Sequence, residues 1–157
     1  MTQLEWAYLG GLVDGEGTIG LANLKKSLGR KPCIKISSTT PELLNWLVPK
    51  LGGYVSKSKS KNIKWADSYK WTITGTNALN ALKQVQPFLK CNTKVERCKL
   101  IVGQWKPVYK ASSWQEKVEA ANLELEFMKL MDKGKDLVYS SLVYEVYPEC
   151  IKNGVAS

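Results

Sequence analysis

The 157-residue chain contains no histidine, the side chain that most often moves protons and binds metals near neutral pH. Its absence excludes Ser–His–Asp catalysis and imidazole-based zinc sites, and it leaves carboxylates, lysines or metal-bound water to handle protons. The four cysteines are too widely spaced for a C-x-x-C metal pair, at Cys33, Cys91, Cys98 and Cys150. We therefore expect free thiols in a reducing compartment.

The sequence also lacks any apolar run of the roughly 20 residues that a membrane helix requires. Residues 1–12 have no basic residue before their apolar part and include Glu5, which argues against a secretory signal and an Arg-rich transit peptide. We expect no membrane partner and a protein that acts in the compartment where it is made. The length predicts a single domain over residues 1–157.

Acidic residues are scarce between residues 18 and 75, where Glu42 and Asp67 stand against eleven lysines and arginines. The difference, 11 minus 2, equals the +9 net charge of the whole chain, so the other residues are neutral on balance. Charge concentrated in one region is typical of a surface that attracts a polyanion. We therefore predict a polyanionic partner for this region.

Hydrophobic periodicity predicts two successive αββ units followed by helices. The first helix should open with a capping box formed by Thr2 and Glu5 and end near Val13 or Asp14, before the glycines of the next turn. Alternating polar and apolar side chains predict four strands, at 18–27, 32–38, 54–59 and 68–74. The predicted fold class is α+β, in the order αββαββα, with a four-stranded antiparallel sheet and C-terminal helices.

Four further helices are predicted from their start signals. They should begin at Thr39 or Thr40, at Thr76, at Thr93 and at Ser113, and the first of them should continue to Gly52. Capping boxes are predicted for the last two, from Thr93 with Glu96 and from Ser113 with Glu116. Residues 137–147 fit either a strand or a short helix.

The stretch 9–17, LGGLVDGEG, places small, apolar and acidic side chains at the end of the first helix. Gly11 and Gly15 lie one helical turn apart, a spacing that lets two helix backbones approach closely. Such a helix could pack against a copy of itself. The residues predicted at that dimer interface are Tyr8, Gly10, Gly11 and Asp14.

Glu16 is predicted to lie just beyond the helix C-terminus, where the helix dipole already concentrates negative charge. A cation would relieve an unpaired carboxylate there. If two copies cross at a twofold axis, two Glu16 carboxylates and two helix ends meet, which is the hard-oxygen environment that Mg²⁺ selects. The sequence therefore predicts a divalent-metal site at this helix end.

These residues resemble the LAGLIDADG motif, with Gly10 in place of the first Ala, Gly15 in place of the second and Glu16 in place of the final Asp. By this resemblance the chain is identified as a homing endonuclease of the single-motif, homodimeric type. The resemblance covers about residues 2–105, and residues 106–157 would form a C-terminal helical extension. It implies a curved sheet that lies in the major groove of a long pseudopalindromic DNA site.

The resemblance also implies a catalytic site. Family members bind metal through the final acid of the motif and a nearby backbone carbonyl, which correspond here to Glu16 and Gly15, with Mg²⁺ or Mn²⁺ as the ion. The segment 87–94 is similar to the one that supplies a basic residue near the scissile phosphate, which implies Lys94. A polar residue that positions water would be one of Ser38, Thr39 and Thr40, and the sequence does not choose among them.

Two groups of residues are implied for DNA binding. Polar side chains on the sheet face would read the major groove: Lys35, Ser37, Ser56, Ser58, Lys70 and Thr72. Lysines in loops would bind phosphates: Lys25, Lys26, Lys57, Lys59, Lys61 and Lys64.

Other motif readings fit less well. Residues 15–20 satisfy G-x-G-x-x-G, but they end a helix and open a strand, the reverse of the dinucleotide-binding arrangement. A calcium loop starting at Asp14 would place Ile19 and Lys25 where it requires Gly and Glu. Asp14 itself better fits a helix-end residue that hydrogen-bonds locally than a metal ligand.

Three functions follow from these observations. The first is a site-specific endonuclease that makes a metal-dependent double-strand break. The alternatives on the same fold are an RNA-binding maturase with intron RNA as partner and a DNA-binding regulator that does not cut. An acid held at position 16 favours cleavage. The resemblance implies an intron-encoded protein of an organelle (chloroplast or mitochondrion) or of the archaeal cytoplasm.

Overall fold

The computed structural model describes residues 1–24, 27–60, 66–131 and 139–149. The elements are α1 (Gln3–Glu16), β1 (Gly17–Ala22), β2 (Lys31–Ser38), α2 (Glu42–Asn45), α3 (Val48–Leu51), β3 (Tyr54–Ser58), β4 (Ser68–Thr74), α4 (Gly75–Val85), a 3-10 turn (Gln86–Phe88), α5 (Asn92–Gln104), α6 (Trp114–Met131) and α7 (Ser141–Val146). The predicted α+β class and its αββαββα order are confirmed.

Backbone packing divides the chain into two compact units. Unit 1 comprises Met1–Gly20 and Pro32–Lys99, and unit 2 comprises Leu21–Lys31 and Leu100–Ser157. Unit 2 therefore groups the whole predicted extension, 106–157, with Leu21–Lys31, which runs from the end of β1 to the first residue of β2. The prediction of a single domain over the whole chain stays a prediction.

The curved sheet has the strand order β1-β2-β4-β3, and β4 pairs antiparallel with β2 and with β3. Register places Ile36 opposite Trp71, and Trp71 opposite Val55, on one face of the sheet. The next row, on the other face, holds Ser37, Lys70 and Ser56. Ile36 and Trp71 are buried, so the first face covers the core of unit 1 and the second face is polar, as the alternation predicted.

Helix α1 begins as predicted and ends later than predicted. Thr2 and Glu5 form the capping box, with Thr2 Oγ1 accepting from the Glu5 N–H at 3.2 Å and the Glu5 carboxylate accepting from the Thr2 N–H at 2.8 Å. The helix continues to Glu16 and is closed by Gly17, where a Cβ would lie 2.6 Å from the Cα of Val13. Glu16 is thus the last helical residue rather than a residue beyond the helix.

The helix predicted from Thr39 or Thr40 to Gly52 is instead two short helices, α2 and α3. Pro49 explains the break, because it has no N–H to donate to the carbonyl group of Asn45 one turn earlier. Two other starts are also corrected. α4 begins at Gly75, with φ of 69°, before the predicted Thr76, and α5 begins at Asn92, so Thr93 lies within its first turn.

Unit 2 has its own small core. Ala121 of α6 packs with Leu142, Val143 and Val146 of α7. The capping box predicted at Ser113 and Glu116 is confirmed, with N–H···O distances of 3.3 and 2.7 Å. Between residues 137 and 147, the part that the structure describes forms a helix and not a strand.

A hydrophobic helix long enough to cross a membrane is not found among the described residues.

Gly53 links α3 to the sheet in a conformation that other residues rarely adopt, with φ of 81°. A Cβ there would collide with the Thr72 carbonyl oxygen and lie 3.1 Å from the Trp71 indole nitrogen. We expect Gly53→Ala to lower the free energy of unfolding by about 3 kcal/mol, measured by urea denaturation. The control Gly103→Ala, in α5 with open space around it, should raise that free energy by about 0.5 kcal/mol. Equal stabilities of the two variants would contradict this account.

Candidate active site and DNA-binding face

The C-terminal end of α1 presents an exposed carboxylate. Glu16 and the preceding Gly15 are both exposed, and no described residue forms an ion pair or a hydrogen bond with the Glu16 side chain. The last carbonyl groups of a helix lack intrahelical donors and carry partial negative charge. An unpaired carboxylate at such an end favours a cation.

Lys94 of α5 reaches this helix end. Its ammonium nitrogen donates to the carbonyl oxygens of Val13 at 2.7 Å and of Asp14 at 2.6 Å. A cation at the C-terminus of a helix stabilises the helix dipole, so Lys94 neutralises part of the charge beside Glu16. The structure therefore brings the two predicted catalytic residues to one helix end, whereas their catalytic roles stay predictions.

Asp14 of α1 contacts the segment before α5, just as Lys94 of α5 contacts the end of α1. Its carboxylate accepts from the backbone N–H groups of Lys90 at 2.6 Å and of Cys91 at 3.3 Å, immediately before α5 begins. A carboxylate suits the positive end of a helix, as an ammonium suits the negative end. We call the contacts of Asp14 and Lys94 the reciprocal clamp. The predicted local hydrogen bond of Asp14 is wrong, because its partners lie more than 70 residues away in sequence.

Cys91 is a residue of this site that the sequence analysis did not select. Its Sγ lies 3.4 Å from the Thr93 hydroxyl. This hydrogen bond and a second one from the Lys94 backbone N–H lower the pKa of the thiol from its ordinary value. By contrast, burial raises the pKa of Cys98 to about 11. The signal was present in the sequence, since Cys91 lies two residues before the predicted start of the helix that contains Lys94.

The oxygen atoms at the end of α1 suit a hard divalent cation. Glu16 supplies a carboxylate and Gly15 a backbone carbonyl, the ligand types that Mg²⁺ and Mn²⁺ prefer. The described part of one chain contains no cluster of three or more His, Cys, Asp or Glu side chains that could hold a metal. Glu16 and the Gly15 carbonyl would fill only part of the coordination shell of such an ion, and water, DNA or a second copy would supply the rest.

One face of α1 is exposed, with two apolar side chains and two glycines that have open space beside them. Leu4 is 82% exposed and Tyr8 is 49% exposed, and a Cβ added at Gly11 or Gly15 would meet no atom within 4 Å. These residues are spaced by four, three and four positions, which places them on one side of a helix. We call this stripe of Leu4, Tyr8, Gly11 and Gly15 the α1 face.

Gly10 does not belong to the α1 face, and its assignment to the dimer interface is corrected. Gly10 is buried, and a Cβ there would lie 2.7 Å from the Cβ of Phe88 in the same chain. Its small size is therefore required for packing within the subunit. Asp14 is half-buried, and its carboxylate takes part in the reciprocal clamp; its place at the dimer interface stays a prediction.

Most of the predicted base-reading side chains share the polar face of the sheet. Lys35, Ser56, Ser58 and Lys70 are exposed, and Ser37 is half-buried. Ser37, Lys70 and Ser56 are register neighbours across three strands. Side chains at adjacent register positions lie about 5 Å apart, so they form one continuous polar row.

Thr72, predicted on the polar face, and Lys57, predicted as a phosphate-binding loop lysine, are placed differently by the structure, and their roles in DNA binding stay predictions. Thr72 is only 6% exposed, and its register neighbours are Lys35 and Tyr54, so little of it is open to a ligand. Lys57 alternates with Ser56 and Ser58 and therefore lies on the opposite face, in register with Tyr69. The Asp67 carboxylate, 2.8 Å away, raises the pKa of Lys57 and pairs its charge.

The remaining predicted residues are less informative. Lys59 is exposed in the loop after β3. Lys25, Lys26, Lys61 and Lys64 lie outside the described residues. Among the three candidates for positioning water, Ser38 accepts a hydrogen bond from the Thr40 N–H at 3.0 Å, and this contact does not decide between them.

The order of elements and the four-stranded antiparallel sheet match the fold of the LAGLIDADG homing endonucleases. Among solved structures, the chain is similar to the homing endonuclease I-CvuI in complex with its target in the presence of 2 mM Ca. That alignment has 23% identity and a TM-score of 0.69, and it covers 96% of this chain and 94% of the other.

Two further structures show the same similarity. I-CvuI in complex with the I-CreI target and 2 mM Mg, with the DNA not cleaved, has 19% identity and a TM-score of 0.62, covering 96% of this chain and 94% of that one. The archaeal intron-encoded homing endonuclease I-Vdi141I, complexed with DNA, has 16% identity and a TM-score of 0.55, covering 91% and 92%. No protein-family model and no curated protein sequence matches the chain.

Proposed function

We propose that the chain is a site-specific homing endonuclease that acts as a homodimer and makes a metal-dependent double-strand break in a long pseudopalindromic DNA site. The observation that carries the proposal is the end of α1, where the Glu16 carboxylate is unpaired among the described residues and the Lys94 ammonium binds the Val13 and Asp14 carbonyls, on a helix with an exposed apolar face. The DNA complexes of the similar structures support a duplex as the partner. We further propose that an intron of an organelle or archaeal gene encodes the chain.

The proposed chemistry divides the work between the ion and the protein. A bound Mg²⁺ or Mn²⁺ would supply Lewis-acid stabilisation of charge on the phosphate and would activate water. Glu16 and the Gly15 carbonyl would hold the ion. Lys94 fixes the helix end that carries both ligands, and its ammonium group adds positive charge where the scissile phosphate would lie.

DNA binding is proposed for the polar face of the sheet. Lys35 and Lys70 project from adjacent strands, with serines beside them, and the chain has a net charge of +9. Lysines that neutralise phosphates release counterions, so affinity should fall steeply as salt rises. Serine and lysine side chains on a two-residue repeat can also reach base edges in the major groove.

The homodimer is proposed from the α1 face. Leu4 and Tyr8 would be buried by a second copy, and Gly11 and Gly15 would let the two helix backbones approach closely. That contact would bring two Glu16 carboxylates together. It would also complete the coordination shell that one chain leaves incomplete.

We expect Gly11→Leu to prevent dimer formation, because a Leu side chain would separate the two backbones at their closest approach. Sedimentation or light scattering should give the mass of a dimer for the wild type and of a monomer for the variant at micromolar concentration. Gly103→Leu is the matched control, since it adds the same side chain to an exposed helical glycine with open space around it. A dimeric Gly11→Leu variant would count against the α1 interface.

The enzymatic proposal is tested by selecting cleaved products from a library of long pseudopalindromic duplexes with Mg²⁺ or with EDTA. We expect enrichment of one related set of sequences with Mg²⁺ and no product with EDTA. Binding of duplexes without cleavage in Mg²⁺ and Mn²⁺ would favour the DNA-binding regulator. Selective binding of intron RNA without cleavage would favour the maturase.

A further inference from the structure

Unit 2 contains a buried ion pair that the proposed reaction does not use. Glu124 of α6 is 2% exposed, and its Oε1 accepts from Arg30 Nε at 2.9 Å and from the Ser140 N–H at 2.8 Å. Its Oε2 accepts from the Ser140 hydroxyl at 2.6 Å. Arg30 also donates to the Leu21 carbonyl at 3.0 Å. One carboxylate therefore joins the segment between β1 and β2 to α6 and to the start of α7.

The backbone of the same segment is held independently. The Leu28 carbonyl accepts from the Leu142 N–H and from the Ser141 hydroxyl, both at 3.0 Å. The Arg30 carbonyl accepts from the indole N–H of Trp105, also at 3.0 Å. We call residues 27–31 the β1–β2 turn. Its carbonyl groups and its arginine are thus fixed by the C-terminal part of the chain.

The turn also packs closely against α7. A Cβ at Gly29 would lie 3.1 Å from Leu142 Cδ2, so the turn backbone rests directly on α7. A buried ion pair contributes less to stability than apolar side chains of similar volume, but it accepts only one geometry. A pair in this position is suited to orienting the turn rather than to strengthening the fold.

We infer that Glu124 is a positioning residue for DNA binding: through Arg30 it fixes the β1–β2 turn, and the turn presents Lys31 to the duplex. Lys31, at the end of the turn, is exposed. The inference rests on the proposed binding of DNA. It assigns to the C-terminal helices a role in affinity that is separate from catalysis at Glu16.

The test compares Glu124→Gln with Glu126→Gln. Both changes remove one negative charge from α6, but Glu126 is exposed, so it controls for general electrostatics. We expect Glu124→Gln to lower Tm by about 10 °C, because Arg30 loses its buried counterion. In the folded protein, the affinity for a selected duplex should fall about tenfold while kcat at saturating DNA stays unchanged. Glu126→Gln should change neither the affinity nor kcat.

A second variant separates positioning from stability. Arg30→Met combined with Glu124→Gln removes both charges and keeps the side-chain volumes close to the originals. We expect Tm to recover most of the loss, whereas affinity stays about tenfold weaker, because the turn keeps its backbone contacts but loses the side-chain tie between Arg30 and Glu124. Recovery of affinity together with Tm would overturn the inference and reduce Glu124 to a purely structural residue.

Hydrogen exchange of the free protein gives a measurement that needs no DNA. The Leu142 amide donates to the Leu28 carbonyl, so its exchange should become faster in Glu124→Gln and stay unchanged in Glu126→Gln. If the wild type binds a duplex and Glu124→Gln binds it equally well, the inference fails and the proposed function stands. If the wild type binds no duplex, the proposed function fails, and exchange at Leu142 alone decides whether Glu124 orders the turn.

Discussion

Glu16→Gln is expected to abolish cleavage while leaving DNA binding nearly unchanged. The amide keeps the size and one oxygen of the carboxylate but loses the negative charge that holds a divalent cation. Loss of the ion should lower the cleavage rate by at least about a thousandfold, because metal stabilisation of the transition state supplies several kcal/mol. Gel-shift affinity for the same duplex should change by less than about threefold, since Glu16 contributes no favourable contact to phosphates.

The matched control is Glu5→Gln, also on α1. Glu5 pairs with Lys50 at 2.6 Å and caps the helix start, and these contacts lower its pKa from the ordinary value. It lies near the opposite end of α1 from Glu16, so cleavage by this variant should match that of the wild type. Cleavage by Glu16→Gln at the wild-type rate would refute the metal assignment.

Lys94→Met should have the second-largest effect. The variant keeps the length of the side chain and removes the ammonium group that donates to the Val13 and Asp14 carbonyls. We expect a loss of about a hundredfold in kcat and of about 2 kcal/mol in the free energy of unfolding, because two carbonyl groups lose a charged donor. Single-turnover cleavage and urea denaturation measure the two effects.

Two comparisons make this prediction specific. Lys99→Met removes an exposed lysine from the same helix and should leave kcat and the free energy of unfolding unchanged. Asp14→Asn weakens the other half of the reciprocal clamp, so the double variant with Lys94→Met should lose less stability than the two single losses combined. Additive losses would show that the two contacts act independently, which contradicts a shared clamp.

Several elements were predicted correctly from local sequence rules. Thr2 with Glu5 and Ser113 with Glu116 are capping boxes readable over four residues, and both form as expected. The alternation along β4 placed its apolar residues correctly, and Trp71 and Ile73 are buried. The second helix was predicted wrongly because the effect of Pro49 was overlooked. Pro49 has no backbone N–H, and this divides the predicted helix into α2 and α3.

The errors within the site have a different origin, because they depend on contacts between distant parts of the chain. Gly10 is small to accommodate Phe88, and Asp14 accepts from two N–H groups that precede a helix more than 70 residues later in the sequence. The hydrophobic periodicity of the sequence predicts neither of these two contacts. Lys57 is the exception, since the same alternation that buries Trp71 places it on the face opposite Ser56, and the sequence alone allowed that conclusion.

The central claim is that two Glu16 carboxylates, one from each subunit, act together on one duplex. It is tested most directly by purifying a mixed dimer of one wild-type and one Glu16→Gln subunit, carrying different tags, and measuring its products on a supercoiled plasmid that bears a selected site. The account predicts that double-strand breaks disappear and that the mixed dimer forms nicked circles at most. Linear product at the wild-type rate from the mixed dimer would contradict it.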